Sequence, residues 1–298
     1  MKQQSKLLLS LLHGAGIGAL TMAGSSLFST DALAGVSNTR HNLGATGTVV
    51  SGQNRVSDTA DVCVFCHTPH SSNSITHAPL WNKNFVTAAG SYTTYASTNS
   101  STLDAAASSG SLIVGSTSLA CLSCHDGAQA IDNIINAPGS GGYNANGGGA
   151  GGVAYNWVSS SGVSATGLIT NGATNLGTDL SNDHPIGIAY CGGVDTATYS
   201  NNSTANCNDG DFKPIQIGGG TGAAARYWVD TGTQDGVRQK TDMYLYTRAS
   251  AGTNGGFIPS VECGSCHDPH VETKATNQVA FLRVSQSSSS LCLACHVK

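Results

Sequence analysis

Apolar positions are spread unevenly along this chain of 298 residues. They are densest at the start, where "LLLSLLHGAGIGALTMAGSSLF" follows the short basic "MKQQSK" and runs into "DALA". A basic start, an apolar stretch and an Ala-x-Ala site (Ala32, Leu33, Ala34) read together as a secretory signal peptide, residues 1–34, cleaved after Ala34. A membrane anchor is the alternative, but the Gly and Ser interruptions and the small-residue site favour removal. Beyond residue 34 no apolar run approaches the roughly 18 residues that span a bilayer. Apolar residues come instead in short patches. "TSLACLSCHDGAQAIDNIINA" predicts a helix over 118–136, ended by Pro138 and Gly139. "TGTVV", "DMYLYTR" and "QVAFLRVS" predict short strands. "SSSSLCLACH" predicts a short helix behind a serine cap. "NAPGSGGYNANGGGAGG" (136–152) predicts a glycine-rich loop, flexible or wound tightly. Residues 35–298 then make one domain, mostly irregular and loop-rich, with short helices and a few short strands.

Composition sharpens this picture. Charged residues make up 10% of the chain and aromatic residues 6%, while glycine fills 38 positions. Such a chain is poorly equipped to build a large apolar core, so something other than side-chain burial must organise it. The formal net charge is −4, and no basic stripe or aromatic platform appears, which argues against nucleic-acid binding. The 10 cysteines of an exported chain would ordinarily be expected to pair as disulfides.

Eight of those cysteines follow a different rule. "CVFCH" (63–67), "CLSCH" (121–125), "CGSCH" (263–267) and "CLACH" (292–296) are four copies of Cys-x-x-Cys-His. This is the attachment signature of haem c. Two thiols add across the two vinyl groups, so they must sit one short helical turn apart, and the next histidine is held under the iron. The expected attachment residues are Cys63, Cys66, Cys121, Cys124, Cys263, Cys266, Cys292 and Cys295, with His67, His125, His267 and His296 as proximal ligands. Zinc or an iron–sulfur cluster would use the cysteine pairs but not the four adjacent histidines. Disulfides across each Cys-x-x-Cys span would be strained and would also leave the histidines unexplained. Four covalently bound haems thus become the expected organisers of the fold. Cys191 and Cys207 lack a following histidine and are expected to form a disulfide, worth roughly 3 kcal/mol by chain entropy.

The opposite face of each iron needs a ligand for electron transfer, or an opening for substrate chemistry. Met243 is the one methionine beyond residue 34, so methionine could close one haem at most. His41, His70, His77, His184 and His270 remain. "CHTPH" and "CHDPH" place a second histidine behind a proline, which turns the chain away and frees His70 and His270 for other haems. Chain order pairs His70 with the 121–125 site and His270 with the 292–296 site. His184 precedes Pro185 and should lie in an extended segment. His77, in "THAPLWN", reads as an ordinary surface histidine and is set aside.

Together with "RHNLG", "APLWN", "LACLSCHDG" and "DHPIG", these doublets resemble the multihaem c-type cytochromes of metal-reducing bacteria, in particular the tetrahaem OmcE type, whose members polymerise into extracellular filaments. The resemblance spans motifs across most of 35–298, with little in 126–262 beyond "DHPIG". It implies bis-histidine haems in a continuous chain, with His41, His70, His184 and His270 as distal ligands and one distal histidine supplied by a neighbouring subunit. The expected function is extracellular electron transfer, through a head-to-tail polymer and with other cytochromes or extracellular acceptors as redox partners. A discrete periplasmic or secreted tetrahaem shuttle is the alternative. A multihaem reductase would need an open iron, often marked by Cys-x-x-Cys-Lys, which is absent, so an electron-transfer protein is expected rather than an enzyme.

Overall fold

The computed structural model describes residues 35–47, 53–74, 78–95, 113–139, 142–144, 147, 153–158, 162–192, 209–220, 222–232, 235–249, 257–271 and 281–297. The chain divides between Ala34 and Gly35, and all described residues lie in the second unit. Residues 48–50 of "TGTVV", together with His77 and Cys207, fall outside them.

The longest helix, α1 (Ser116–His125), carries the second Cys-x-x-Cys-His motif at its C-terminus. It buries Leu119 and Leu122 against Tyr92, Val114 and Leu180. The predicted continuation to residue 136 does not form. The Asp126 carboxylate accepts the Ala128 N–H at 2.9 Å, a local bond that competes with helical ones. Gly127 then adopts φ 68°, and a side chain there would collide with Asn175. Residues 130–133 curl instead around Lys83, whose ammonium donates to the carbonyls of Ala130 (3.1 Å), Ile131 (2.5 Å) and Asn133 (3.5 Å).

Strands β1 (Arg55–Val56) and β3 (Trp157–Val158) form an antiparallel pair, and β2 (Thr93–Thr94) and β4 (Asp179–Leu180) a parallel one. The remaining strands make one antiparallel sheet in the order β5 (Ile188–Ala189), β9 (Phe257–Val261), β8 (Met243–Ala249), β7 (Arg226–Val229), β6 (Gln216–Gly218). The alternation in "DMYLYTR" is realised in β8. Met243 and Leu245 turn inward opposite Val229 and Tyr227, and pack with Tyr190, Ile215, Val261 and Ala294. "QVAFLRVS" yields only an isolated bridge at Leu282 among its described residues. The last motif sits on α3 (Ser290–Leu293), whose N-cap Ser289 makes no side-chain cap bond. The predicted serine cap is therefore replaced by a preceding turn closed by Ser290 Oγ on the Ser287 carbonyl at 2.7 Å.

In the described part of the glycine-rich segment, Gly147 lies tight against Ile135 and its carbonyl accepts the Asn84 N–H at 2.9 Å. Cys191 is disulfide-bonded, in line with its expected pairing. Among the described residues the buried apolar side chains fall into three small clusters, and two of them contain motif cysteines at their margins. Among the described residues no helix is long and apolar enough to cross a membrane.

Met243 is 1% exposed within the sheet core, where it packs among apolar side chains. Met243→Leu conserves volume and should cost under about 1.5 kcal/mol. The absorption spectrum of the haem-loaded protein should not change. A lost thioether-ligation signature would return methionine to the ligand set.

Candidate haem sites

Each motif closes one helical turn. The His67 N–H bonds the Cys63 carbonyl at 2.8 Å, His267 bonds Cys263 at 3.1 Å and His296 bonds Cys292 at 2.9 Å. His125 makes the equivalent turn as the last residue of α1. The two thiols of a motif therefore project from one turn, as attachment to two vinyl groups requires.

Three motifs are then gripped by the same backbone clamp. His67 forms an isolated bridge with Trp81, His267 with Leu282 and His296 with Phe212. The residue after each histidine donates to a carbonyl one position before the bridge: Thr68 to Leu80, Asp268 to Phe281 and Val297 to Asp211. The residue one position after the bridge donates back to the second cysteine: Asn82 to Cys66, Arg283 to Cys266 and Lys213 to Cys295. Leu80 and Phe281 hold left-handed φ values of 56° and 69°, a strain that the flanking hydrogen bonds sustain. The second motif is held otherwise, with Leu176 N–H on the His125 carbonyl at 2.7 Å.

The histidine rings are oriented by their Nδ1 atoms. His67 Nδ1 meets the Pro79 carbonyl at 2.7 Å and His125 Nδ1 meets that of Thr174 at 2.7 Å. His41 is held by the Pro269 carbonyl. His270 Nδ1 lies 3.2 Å from Asp268 Oδ1. An imidazole that donates through Nδ1 keeps its Nε2 lone pair for a metal. Burial first, and then the neighbouring His125, push the pKa of His41 down to about 4, so the ring is in the neutral, ligating form at neutral pH. Burial lowers the pKa of His67 as well.

Two pairs of rings face each other across a gap. His67 and His270 have centroids 6.1 Å apart and planes 18° apart, and His41 and His125 are 6.2 Å apart at 60°. Two axial imidazoles on one iron, with metal–nitrogen bonds of about 2 Å, place their centroids roughly 6 Å apart. The donor set and the centroid spacing are those that two axial ligands of one iron would need. The ring contacts differ from the chain-order expectation. His270 faces the first motif rather than the fourth, and His125 faces His41 rather than His70. Residues 267–271 fold back across the chain to the N-terminal motif, and Phe281 stacks on His41 at 4.1 Å to seat it. His70 and His184 are exposed. The His70 carbonyl takes a bond from Asn136 Nδ2 at 2.7 Å, and His184 Nδ1 turns to the Pro185 carbonyl at 3.0 Å.

Successive motifs adjoin. Cys66 lies within electrostatic reach of Cys124, Cys121 shares a thiol hydrogen bond with Cys263, and Cys266 lies within reach of Cys292 and Cys295. Glu262 joins the middle two by accepting from Gly115 N (3.2 Å) and Ser118 Oγ (2.5 Å) at the start of α1. It is also the N-cap of α2 (Cys263–Cys266). The clamp residues Trp81, Leu282 and Phe212 are the functional positions that the sequence reading missed. "APLWN" and "QVAFLRVS" held the signal, a proline or aliphatic run leading to one bulky residue and then a polar one.

Residues 258–298, which hold the third and fourth motifs, match the family profile of the doubled CXXCH motif. No curated protein matches the chain. With the geometry above, the doubled motif indicates a multihaem c-type cytochrome that binds haem c covalently and serves electron transfer.

Proposed function

We propose that the chain carries four haems c and conducts electrons outside the cell. The haems would be attached at 63–66, 121–124, 263–266 and 292–295 and lie in that order. The observation that carries this reading is the pair of cross-chain imidazole couples, which would close the first two haems with His67 and His270 and with His125 and His41. Bound haem would supply a one-electron carrier whose closed coordination favours transfer over substrate binding. The chain's own residues fix the turns, orient the imidazoles and set neighbouring motifs side by side.

With His41 engaged inside its own chain, a histidine joint between subunits would fall to His70 or His184, the exposed candidates. Head-to-tail donation of either would generate an open filament. The contacts of His41 with His125 and Phe281 of its own chain support a second reading, a discrete secreted or periplasmic shuttle.

Intact mass and electron microscopy test these readings together. The expected mass is that of residues 35–298 plus four haems, and the expected images are uniform filaments on expressing cells that disappear in His70→Ala or His184→Ala. Four haems in small particles alone would establish the shuttle. Fewer than four haems would overturn the tetrahaem reading.

A further inference from the structure

The clamp strands deliver something beyond backbone bonds. Each brings a cation to the second cysteine of its motif. In the fourth motif it is Lys213, whose own N–H bonds the Cys295 carbonyl at 2.8 Å. In the third it is Arg283, whose N–H bonds the Cys266 carbonyl at 2.9 Å and whose Nε bonds the Gly264 carbonyl at 3.1 Å. In the first it is Lys83, the residue after Asn82, whose N–H bonds the Cys66 carbonyl at 2.8 Å. Burial pushes Cys66 up to about 12, and the Lys83 charge pulls against it. Arg283 and Lys213 oppose burial in the same way at Cys266 and Cys295. The second motif, held by residues 174–176, receives no cation from that segment, and the buried Asp126 directly follows its histidine.

The three cations differ in setting. Arg283 is paired with Asp268 at 3.4 Å. Lys213 is half-buried. Lys83 is fully buried, its three donors meet three carbonyls, and among the described residues it makes no ion pair. Asp132 lies in the same loop, but its Oδ2 accepts from Tyr155 N (3.1 Å) and Trp157 Nε1 (3.3 Å) instead.

We infer that the clamp cations set the reduction potentials along the chain, with Lys83 making the 63–67 site the high-potential station and the 121–125 site, whose clamp segment 174–176 brings no cation, the low one. Adding an electron to a haem lowers its charge by one. A fixed positive charge in a weakly polar surrounding therefore favours the reduced form. The inference rests on the haem reading above.

Spectroelectrochemical titration of the full haem-loaded protein tests it. In Lys83→Gln one of the four one-electron steps, the highest, should shift against reduction by about tenfold in equilibrium constant, near 59 mV. Lys83→Arg should keep that step in place. A Cys63→Ala/Cys66→Ala protein should lack the highest step, a result that needs no change at Lys83. An unmoved step in Lys83→Gln, an equal shift in Lys83→Arg, or loss of a lower step without the first haem would each overturn the inference. Mass spectrometry separates this from failure of the parent reading: wild-type protein without haem on Cys63 and Cys66 sinks both, whereas four haems with unmoved potentials sink only the role of Lys83.

Discussion

His270→Ala should open a single haem, the one on Cys63 and Cys66, and leave the haem on Cys292 and Cys295 closed. One of four haems should change from six-coordinate low-spin to five-coordinate high-spin, seen as about a quarter of the resonance Raman and near-infrared signal. His41→Ala should do the same to the 121–125 haem. Assignment comes from combining each variant with loss of one motif. The high-spin signal of His270→Ala should vanish when Cys63 and Cys66 are also replaced by alanine. If it persists there and vanishes instead on removal of Cys292 and Cys295, chain order is right and the 6.1 Å approach of His67 to His270 has been misread.

The supports of His270 make the outcome specific. Asp268 Oδ1 accepts from the His270 backbone at 3.0 Å and faces its Nδ1 at 3.2 Å, while Arg283 holds Oδ2 at 3.4 Å. Burial would raise the Asp268 pKa, but the bonds from His270 and the Arg283 charge bring it down to about 2. Its folded value lies below its unfolded one, so its contribution to stability is present above the unfolded value of about 3.9 and is lost as pH falls toward 2. Ligation by this ring would therefore tie residues 63–67 to residues 267–270. His41 and His125 would likewise tie the N-terminal segment to α1. With three small apolar clusters among the described residues, such ties would be where cofactor binding becomes folding energy.

The sequence displayed the single turns at 63–67, 121–125, 263–267 and 292–296, because the Cys-x-x-Cys-His spacing is a local property. It also displayed strand β8, whose alternation is a local property. The long-range contacts of His41 and His270 were not legible. His270 reaches His67 across about two hundred positions, and nothing near either residue encodes that distance. Chain order does not predict these ring contacts, because the proline two residues after His67 and after His267 sends the chain away without specifying where. The end of α1 was missed for a different reason. "DGAQAIDNIINA" has helical apolar spacing, but Asp126 binds the Ala128 N–H, Gly127 turns left-handed and the buried Lys83 gathers the carbonyls of residues 130–133. Tertiary polar contacts overrode a plausible period. Glu262 carried no motif at all and was found only by its contacts.

Glu262→Ala should be the most damaging single change outside the haem ligands, costing about 3–5 kcal/mol by removing one partner of a buried charged network. The carboxylate is 1% exposed and serves two helices. It accepts from Gly115 and Ser118 at the start of α1, and it shares a capping box with Ser265 at the start of α2, while Ser118 Oγ accepts the Cys263 N–H at 2.9 Å. Arg248 stands 3.6 Å away. Its removal would leave those donors buried without acceptors and release the second motif from the third. Gly115→Ala should approach the same loss, since a methyl group there would land on the Glu262 carboxylate. Glu262→Gln keeps one acceptor oxygen for Ser118 and should cost far less. Burial raises the Glu262 pKa, against the pull of Ser118 and Arg248. The folded state thus holds its proton more tightly than the unfolded one, and stability should fall as pH rises from the ordinary glutamate range through the raised value. The glutamine variant should lose that part of the pH profile. Thermal unfolding across pH, with haem content checked by mass, measures all three variants. An alanine variant as stable as wild type, with the second and third haems still spectroscopically coupled, would mean that the two helices are held together without Glu262.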